Sequence, residues 1–200
     1  MKPYYEQSGI TIWHGDCREI IPTLAHVDLV LTDPPYGIYA CGGKWGAKSQ
    51  LGWDHAPIDF IAQVTDMGRV AVIWGGNYYP LPPSRGWLVW RKPDRVPSAA
   101  DCELAWTNID MNARVFEWTI AATNAERVGH PTQKPLAVMR WSLSFVPEAR
   151  TVLDPFVGSG TTLVVAKRNG LTATGIEINE RYCEIAARRL TQEILPLANS

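Results

Sequence analysis

The sequence predicts an α/β fold built on a doubly wound, mainly parallel sheet. Three observations carry that reading. Short β-branched runs alternate with helical spacings along the 200 residues, the order expected of βαβ units. Two of the runs end in nearly the same words, Thr32-Asp33-Pro34-Pro35-Tyr36-Gly37 and Leu153-Asp154-Pro155-Phe156-Val157-Gly158. A glycine turn, Gly158-Ser159-Gly160, leads from the second of them into a helical stretch.

Each element has its own signal. Residues 9–15 read as a strand and 17–25 as a short helix. Residues 27–32 (V-D-L-V-L-T) form an apolar strand that must stop at Pro34 and Pro35, because neither has an N–H for a sheet ladder. A helix is expected over 57–67 and a strand over 69–74, closed by Gly75-Gly76. Residues 87–90 and 103–107 are further strands. Over 134–146, Leu136, Met139, Leu143 and Val146 share one helical face. The clearest βαβ unit is strand 151–153, helix 161–169 stopped by Gly170, and strand 172–178. Asn179 is placed to cap a last helix from 180 to about 195.

Composition narrows the class. At 46% hydrophobic and 20% charged residues, the chain suits one domain with a full core and leaves little room for a second. A net charge of −1 gives no global footprint for nucleic acid, so such a contact would need a local basic groove. Cys17, Cys41, Cys102 and Cys183 lie far apart with no C-x-x-C pair, which argues against a zinc site or a disulfide framework. Isolated thiols suit a cytoplasmic protein. The first residues lack a signal-peptide pattern, and no apolar run reaches the roughly 18 residues of a membrane span.

The two acidic strand ends carry the chemistry. In open α/β sheets, ligands bind outside the carboxyl ends of strands, where the strand order reverses. Either Asp-Pro turn alone is ordinary loop chemistry, but the pair can face one crevice. At the second turn, the dinucleotide pattern G-x-G-x-x-G fails because position 163 is Leu163, and no P-loop is present. Glu177 ends the next strand, where an acid can accept both ribose hydroxyls. Asp154 suits an ammonium group better than a pyrophosphate. Together they point to S-adenosylmethionine rather than NAD. At the first turn, Asp33 and the Pro34 carbonyl can accept hydrogen bonds from an exocyclic amine whose lone pair is delocalised into its ring. The prolines hold that carbonyl rigid for the charge developing on nitrogen. Tyr36 offers a flat face to a flipped base. Methylation at cytosine carbon would need a nucleophilic cysteine, and no cysteine here follows a proline.

These residues resemble the amino-directed DNA methyltransferases of the permuted β group, in which the catalytic motif precedes the cofactor motif. The resemblance rests on Gly15-Asp16-Cys17, the run from Asp28 to Gly37, and Trp74-Gly75-Gly76-Asn77-Tyr78. It continues through Asp101-Cys102-Glu103-Leu104-Ala105-Trp106, His130-Pro131-Thr132-Gln133-Lys134-Pro135, Leu153 to Thr162, and Gly175-Ile176-Glu177. It implies a Rossmann-like methyltransferase fold with a seven-stranded sheet and one antiparallel edge strand. It implies Asp33, Pro34, Pro35 and Tyr36 as the catalytic residues. Cofactor contacts would come from Asp154, Pro155, Phe156, Gly158, Ser159, Gly160 and Thr161, from Glu177 and Ile178, and from Thr132 and Lys134 beside the methionine end. Asp16, with Cys17, would lie near the adenine of the cofactor, although Asp16 also reads as a simple turn. The motif beginning with Asp goes mostly with adenine N6 in this family, whereas Ser in its place goes with cytosine N4; the chemistry of the two amines leaves both open.

The resemblance also sets the expected organisation. Residues 1–200 form a single methyltransferase domain, with 1–129 the catalytic half and 130–200 the cofactor half. Only residues 111–129 stand where larger relatives carry a target-recognition region, too few for a separate domain. The expected partner is DNA, not a membrane, with a homodimer as one way to add a second subunit. The loop from Gly37 to Pro57, with Lys44 and Lys48, reads either as a clamp over DNA phosphates or as a mobile surface loop. The nine tryptophans read as core and rim packing rather than base-stacking platforms, and His130 as a turn residue.

Overall fold

The computed structural model describes residues 2–37, 58–95, 100–128 and 132–192. Among the described residues nine strands form one sheet, in chain order β1 (Tyr5–Gln7), β2 (Ile10–His14), β3 (Val27–Thr32), β4 (Gly68–Trp74), β5 (Trp87–Arg91), β6 (Cys102–Thr107), β7 (Arg114–Glu117), β8 (Thr151–Asp154) and β9 (Thr172–Glu177). Their spatial order is β1-β2-β9-β8-β3-β4-β6-β5-β7. The helices are α1 (Cys17–Ile20), α2 (Ile61–Asp66), α3 (Ile120–Ala125), α4 (Leu136–Leu143), α5 (Thr161–Arg168) and α6 (Glu180–Gln192).

The central strands form because they bury both faces. Leu29, Val30 and Leu31 of β3 are at most 1% exposed, as a parallel strand covered on both sides requires. One face packs on α4, α5 and α6 through Met139, Val164, Cys183, Ala186 and Leu190. The other meets Cys17, Ile20, Ile61 and Val64 of α1 and α2. The result is a helix–sheet–helix sandwich. Asn179 caps α6 as expected, its Oδ1 accepting from the Arg181 amide at 3.0 Å.

The sheet corrects the expected seven strands with one antiparallel edge. β1 pairs antiparallel with β2 at one edge, and β6 runs antiparallel between β4 and β5. The reversed β6 is interior because β5 pairs on its outer side, and β7 extends the sheet beyond β5, parallel to it. β1 and β7 escape the sequence pattern because both are edge strands with mostly exposed side chains and no alternation to detect. Three helices are also clearly shorter than expected, among them α4, which spans Leu136–Leu143 where 134–146 was predicted. The span predicted from 17 to 25 is the four residues of α1 followed by a 3-10 turn at Ile21–Thr23. The span predicted from 57 to 67 narrows to α2.

The crossover directions diverge at β3 and β8, adjacent parallel strands in the middle of the sheet. From β3 the chain moves outward to β4, and from β8 to β9 on the other side. Asp33 immediately follows β3 and Asp154 ends β8. Both therefore stand at the crevice where such sheets bind ligands.

Candidate active site at the β3 and β8 strand ends

A cavity of about 1360 Å³ opens over these two strand ends, ample for a nucleoside-sized cofactor with a second planar group. Every residue expected at the site lines it except Gly160. Its lining brings together Asp33, Pro34, Pro35 and Tyr36 after β3, and Asp154, Pro155, Phe156, Gly158, Ser159 and Thr161 from the end of β8 into α5. Glu177 and Ile178 at the end of β9, Asp16 and Cys17 at the start of α1, and Thr132 and Lys134 before α4 also line it.

On the β8 side, the carboxylates are tethered by backbone. Asp154 Oδ1 accepts from the Thr32 hydroxyl at 2.6 Å and from the Phe156 amide at 3.0 Å. Burial nevertheless pushes the Asp154 carboxyl up to about 6, the hydrogen bonds from Thr162 and Thr32 opposing it only in part. Glu177 accepts from the Gly158 amide through Oε2 and from the Asn179 amide through Oε1, each at 2.8 Å. Burial raises its carboxyl as well, against those two amides. Asp16 caps α1 by accepting from the Arg18 amide at 2.9 Å and also pairs with the Arg18 guanidinium. Cys17 lies on the wall with its thiol pushed up to about 12, chiefly by burial. Gly160 instead faces α6, and a Cβ there would sit 2.8 Å from that of Ala186.

The β3 side holds a compact network of charge. Lys134 Nζ lies 2.6 Å from Asp33 Oδ2 and 2.9 Å from Glu103 Oε2. It also donates to the Tyr36 hydroxyl at 2.9 Å. Tyr36 in turn donates to Asp33 Oδ1, and Lys92 pairs with Glu103 Oε1. Burial raises the Asp33 carboxyl and the Lys134 ammonium lowers it; the net direction is up. Burial lifts the Tyr36 hydroxyl well above its ordinary value, and the neighbouring carboxylates add to this, so it stays a donor. Glu103 behaves oppositely. Burial works against its charge, but Lys134 and Lys92 overcome it and hold the carboxyl at about 2.

The Tyr36 ring is fixed from several sides. Tyr78 stacks on it with ring centres 4.9 Å apart. Gly75 lies so close behind that an added Cβ would fall 1.9 Å from the ring. The Tyr79 hydroxyl donates to the Pro35 carbonyl. Among the described residues no hydrogen bond reaches the Pro34 carbonyl, which leaves it free to accept one from a ligand.

Sequence reasoning placed Lys134 beside the cofactor and gave Glu103 and Lys92 no role. The structure joins all three to Asp33. One signal was present: a glutamate inside the otherwise apolar run C-E-L-A-W-T calls for a buried cation. The segment that stands where larger relatives carry a target-recognition region holds β7 and α3, and Ile120 and Thr123 of α3 reach the cavity. Trp74, Trp90 and Trp106 are buried, as the packing reading expected. The Lys44 and Lys48 loop and His130 fall outside the described residues.

Comparison with known proteins gives consistent matches. The family model described as DNA methylase matches residues 90–188. The type II methyltransferase M.ScaI of Streptomyces caespitosus is 26% identical, over 96% of this chain and 84% of its own. A crystal structure of the M1.HpyAVI–SAM complex superposes with a TM-score of 0.64 at 25% identity, covering 90% of this chain and 98% of that one. The PvuII DNA methyltransferase, cytosine-N4-specific, shares the fold at a TM-score of 0.67 and 18% identity, covering all of this chain and 91% of its own.

Proposed function

We propose that this chain is an amino-directed DNA methylase that uses S-adenosylmethionine, as its matches support, and that it methylates the N6 amino group of adenine in DNA. The observation that carries the reading is Asp33 beside the open Pro34 carbonyl, at the same crevice as Asp154.

The cavity residues fit the cofactor by their chemistry. Asp154 can pair with the ammonium of the methionine part, and Glu177 can accept the ribose hydroxyls. Bound there, the cofactor supplies an electrophilic methyl group on a positive sulfur. On the acceptor side, Asp33 and the Pro34 carbonyl take the two amine N–H bonds. That draws the lone pair out of conjugation and steadies the charge growing on nitrogen. The face of Tyr36 turned away from Tyr78 is where the extruded base would stack. Adenine rather than cytosine is supported by the acid at the first position of the motif; the fold by itself does not choose, since the cytosine-N4-specific PvuII enzyme shares it. Between β6 and α4 the described residues hold β7 and α3, and a target sequence read by these elements should be short, or read with help from a second subunit.

The test is to incubate the purified protein with labelled S-adenosylmethionine and unmethylated DNA, digest to nucleosides and identify the product by mass. N6-methyldeoxyadenosine, abolished by Asp33→Ala, is expected. N4-methyldeoxycytidine alone would refute the adenine assignment, and labelling of RNA or protein but not DNA would refute the DNA acceptor.

A further inference from the structure

Asp33 sits at one end of a row of alternating charge. Lys134 touches Asp33 and Glu103, and Glu103 touches Lys92. The two members beyond Lys134 come from separate elements: Glu103 from β6, and Lys92 just past β5. Lys92 is held by packing, its ammonium 4.5 Å above the Trp90 ring and its side chain only 13% exposed.

The row solves an electrostatic problem. A lone ammonium against Asp33 would keep that carboxylate ionised but make it a weak proton acceptor. It would also repel the positive charge that grows on the attacked amine. A carboxylate on the far side of the ammonium offsets both effects, because charge interactions are strong where water is scarce.

We propose that Glu103 is a positioning residue that holds Lys134 and, by offsetting its charge, tunes Asp33 to accept the proton shed by the methylated amine. This rests on the reading of Asp33 as the group facing the acceptor. The N–H bond breaks as the new O–H bond forms on Asp33, and the proton leaves to water when product departs. The charged and titratable groups around Asp33 are Lys134 and Tyr36 in contact with it, Glu103 and Lys92 along the row, and Asp154 across the crevice. Glu103 acts to raise the Asp33 carboxyl and Lys134 to lower it.

Neutralising single members of the row should therefore move Asp33 in opposite directions. The protein labelled with 13C at aspartate side chains is titrated by NMR, the Asp33 signal being assigned by its loss in Asp33→Asn. Glu103→Gln leaves two cations unopposed, so the Asp33 midpoint should fall by about one pH unit. Lys92→Met removes the outer cation, so the midpoint should rise by a smaller amount. The acid limb of the methylation rate should follow the same shifts. A Glu103 that merely supports the fold would lower thermal stability without moving the midpoint. An unchanged or raised midpoint in Glu103→Gln overturns the proposal, as does a fall in Lys92→Met. If Glu103→Gln does not fold, a rise in Lys92→Met supports the proposal and any other result overturns it. Because the titration needs no turnover, its outcome stands apart from whether DNA is the acceptor.

Discussion

Thr32 donates its hydroxyl to Asp154 Oδ1 at 2.6 Å, across the boundary between β3 and β8. Thr32 immediately precedes Asp33, so this bond ties the acceptor-facing turn to the carboxylate assigned to the cofactor. Thr32 is fully buried and Asp154 is 2% exposed. Water therefore cannot replace the bond if it is lost.

Thr32→Val keeps the shape and removes the donor. Losing a hydrogen bond to a buried carboxylate should cost about 1.5–3 kcal/mol of folding stability. The cofactor should also bind about two- to tenfold more weakly at pH 7, as Asp154 becomes harder to ionise by about one to two pH units. Urea unfolding and calorimetric titration with S-adenosylmethionine measure the two effects. Unchanged values in both would show that the bridge is not structural.

With Asp154 as the proposed partner of the cofactor's ammonium, cofactor binding should depend on pH. The Asp154 carboxyl lies at about 6 in the folded protein, against an ordinary value of 3.8. A raised carboxyl stabilises the fold while neutral. That contribution is full below about pH 4 and is lost as pH rises through 6. Cofactor binding runs the other way, since the ammonium needs the ionised form. Affinity should strengthen from pH 5 to pH 7, changing roughly tenfold per unit below 6. Asp154→Asn should flatten this profile, and its stability deficit relative to wild type should shrink between pH 4 and pH 7. A steep affinity profile surviving in Asp154→Asn would assign the titration to another group.

The acidic strand ends were legible because prolines and glycines punctuate them, β3 because its run is mostly apolar, and β9 because it follows the Gly170 stop of a βαβ unit. The reversed β6 was not. Its run looks like any buried strand, and direction depends on which neighbours it meets rather than on its own residues. Lys134 was assigned to the cofactor for a similar reason. Its loop reaches the cavity, but only the folded sheet reveals that Glu103 and Asp33 flank its ammonium. Local patterns thus found the carboxylates, whereas the pairing among them needed long-range contacts.

Gly75 has φ +69, and a methyl group there would overlap the Tyr36 ring. Gly75→Ala should therefore displace the face assigned to the target base and add about 1–2 kcal/mol of backbone strain. Methylation should fall at least tenfold, while S-adenosylmethionine affinity, set on the β8 side, stays within about twofold. Rate measurements beside calorimetry separate the two. A matched loss of cofactor binding would mean that the whole crevice had shifted.

Gly160 makes the opposite case, a glycine of the cofactor motif whose constraint lies in packing. Its φ is +83, it is absent from the cavity wall, and an added Cβ would sit 2.8 Å from Ala186 Cβ. Gly160→Ala should destabilise the fold by about 1–3 kcal/mol through overpacking and strain. Adding Ala186→Gly should recover only part of the overpacking share, because the Ala186 Cα stays 3.1 Å from the new Cβ and a glycine inside α6 costs about 1 kcal/mol. Cofactor affinity of the folded protein should stay within about twofold in both variants, because the changed atoms face α6. Denaturant titration checks the stability series and calorimetry the binding. If Gly160→Ala abolished binding at unchanged stability, this glycine would act on the cofactor directly, as its place in the motif first suggested.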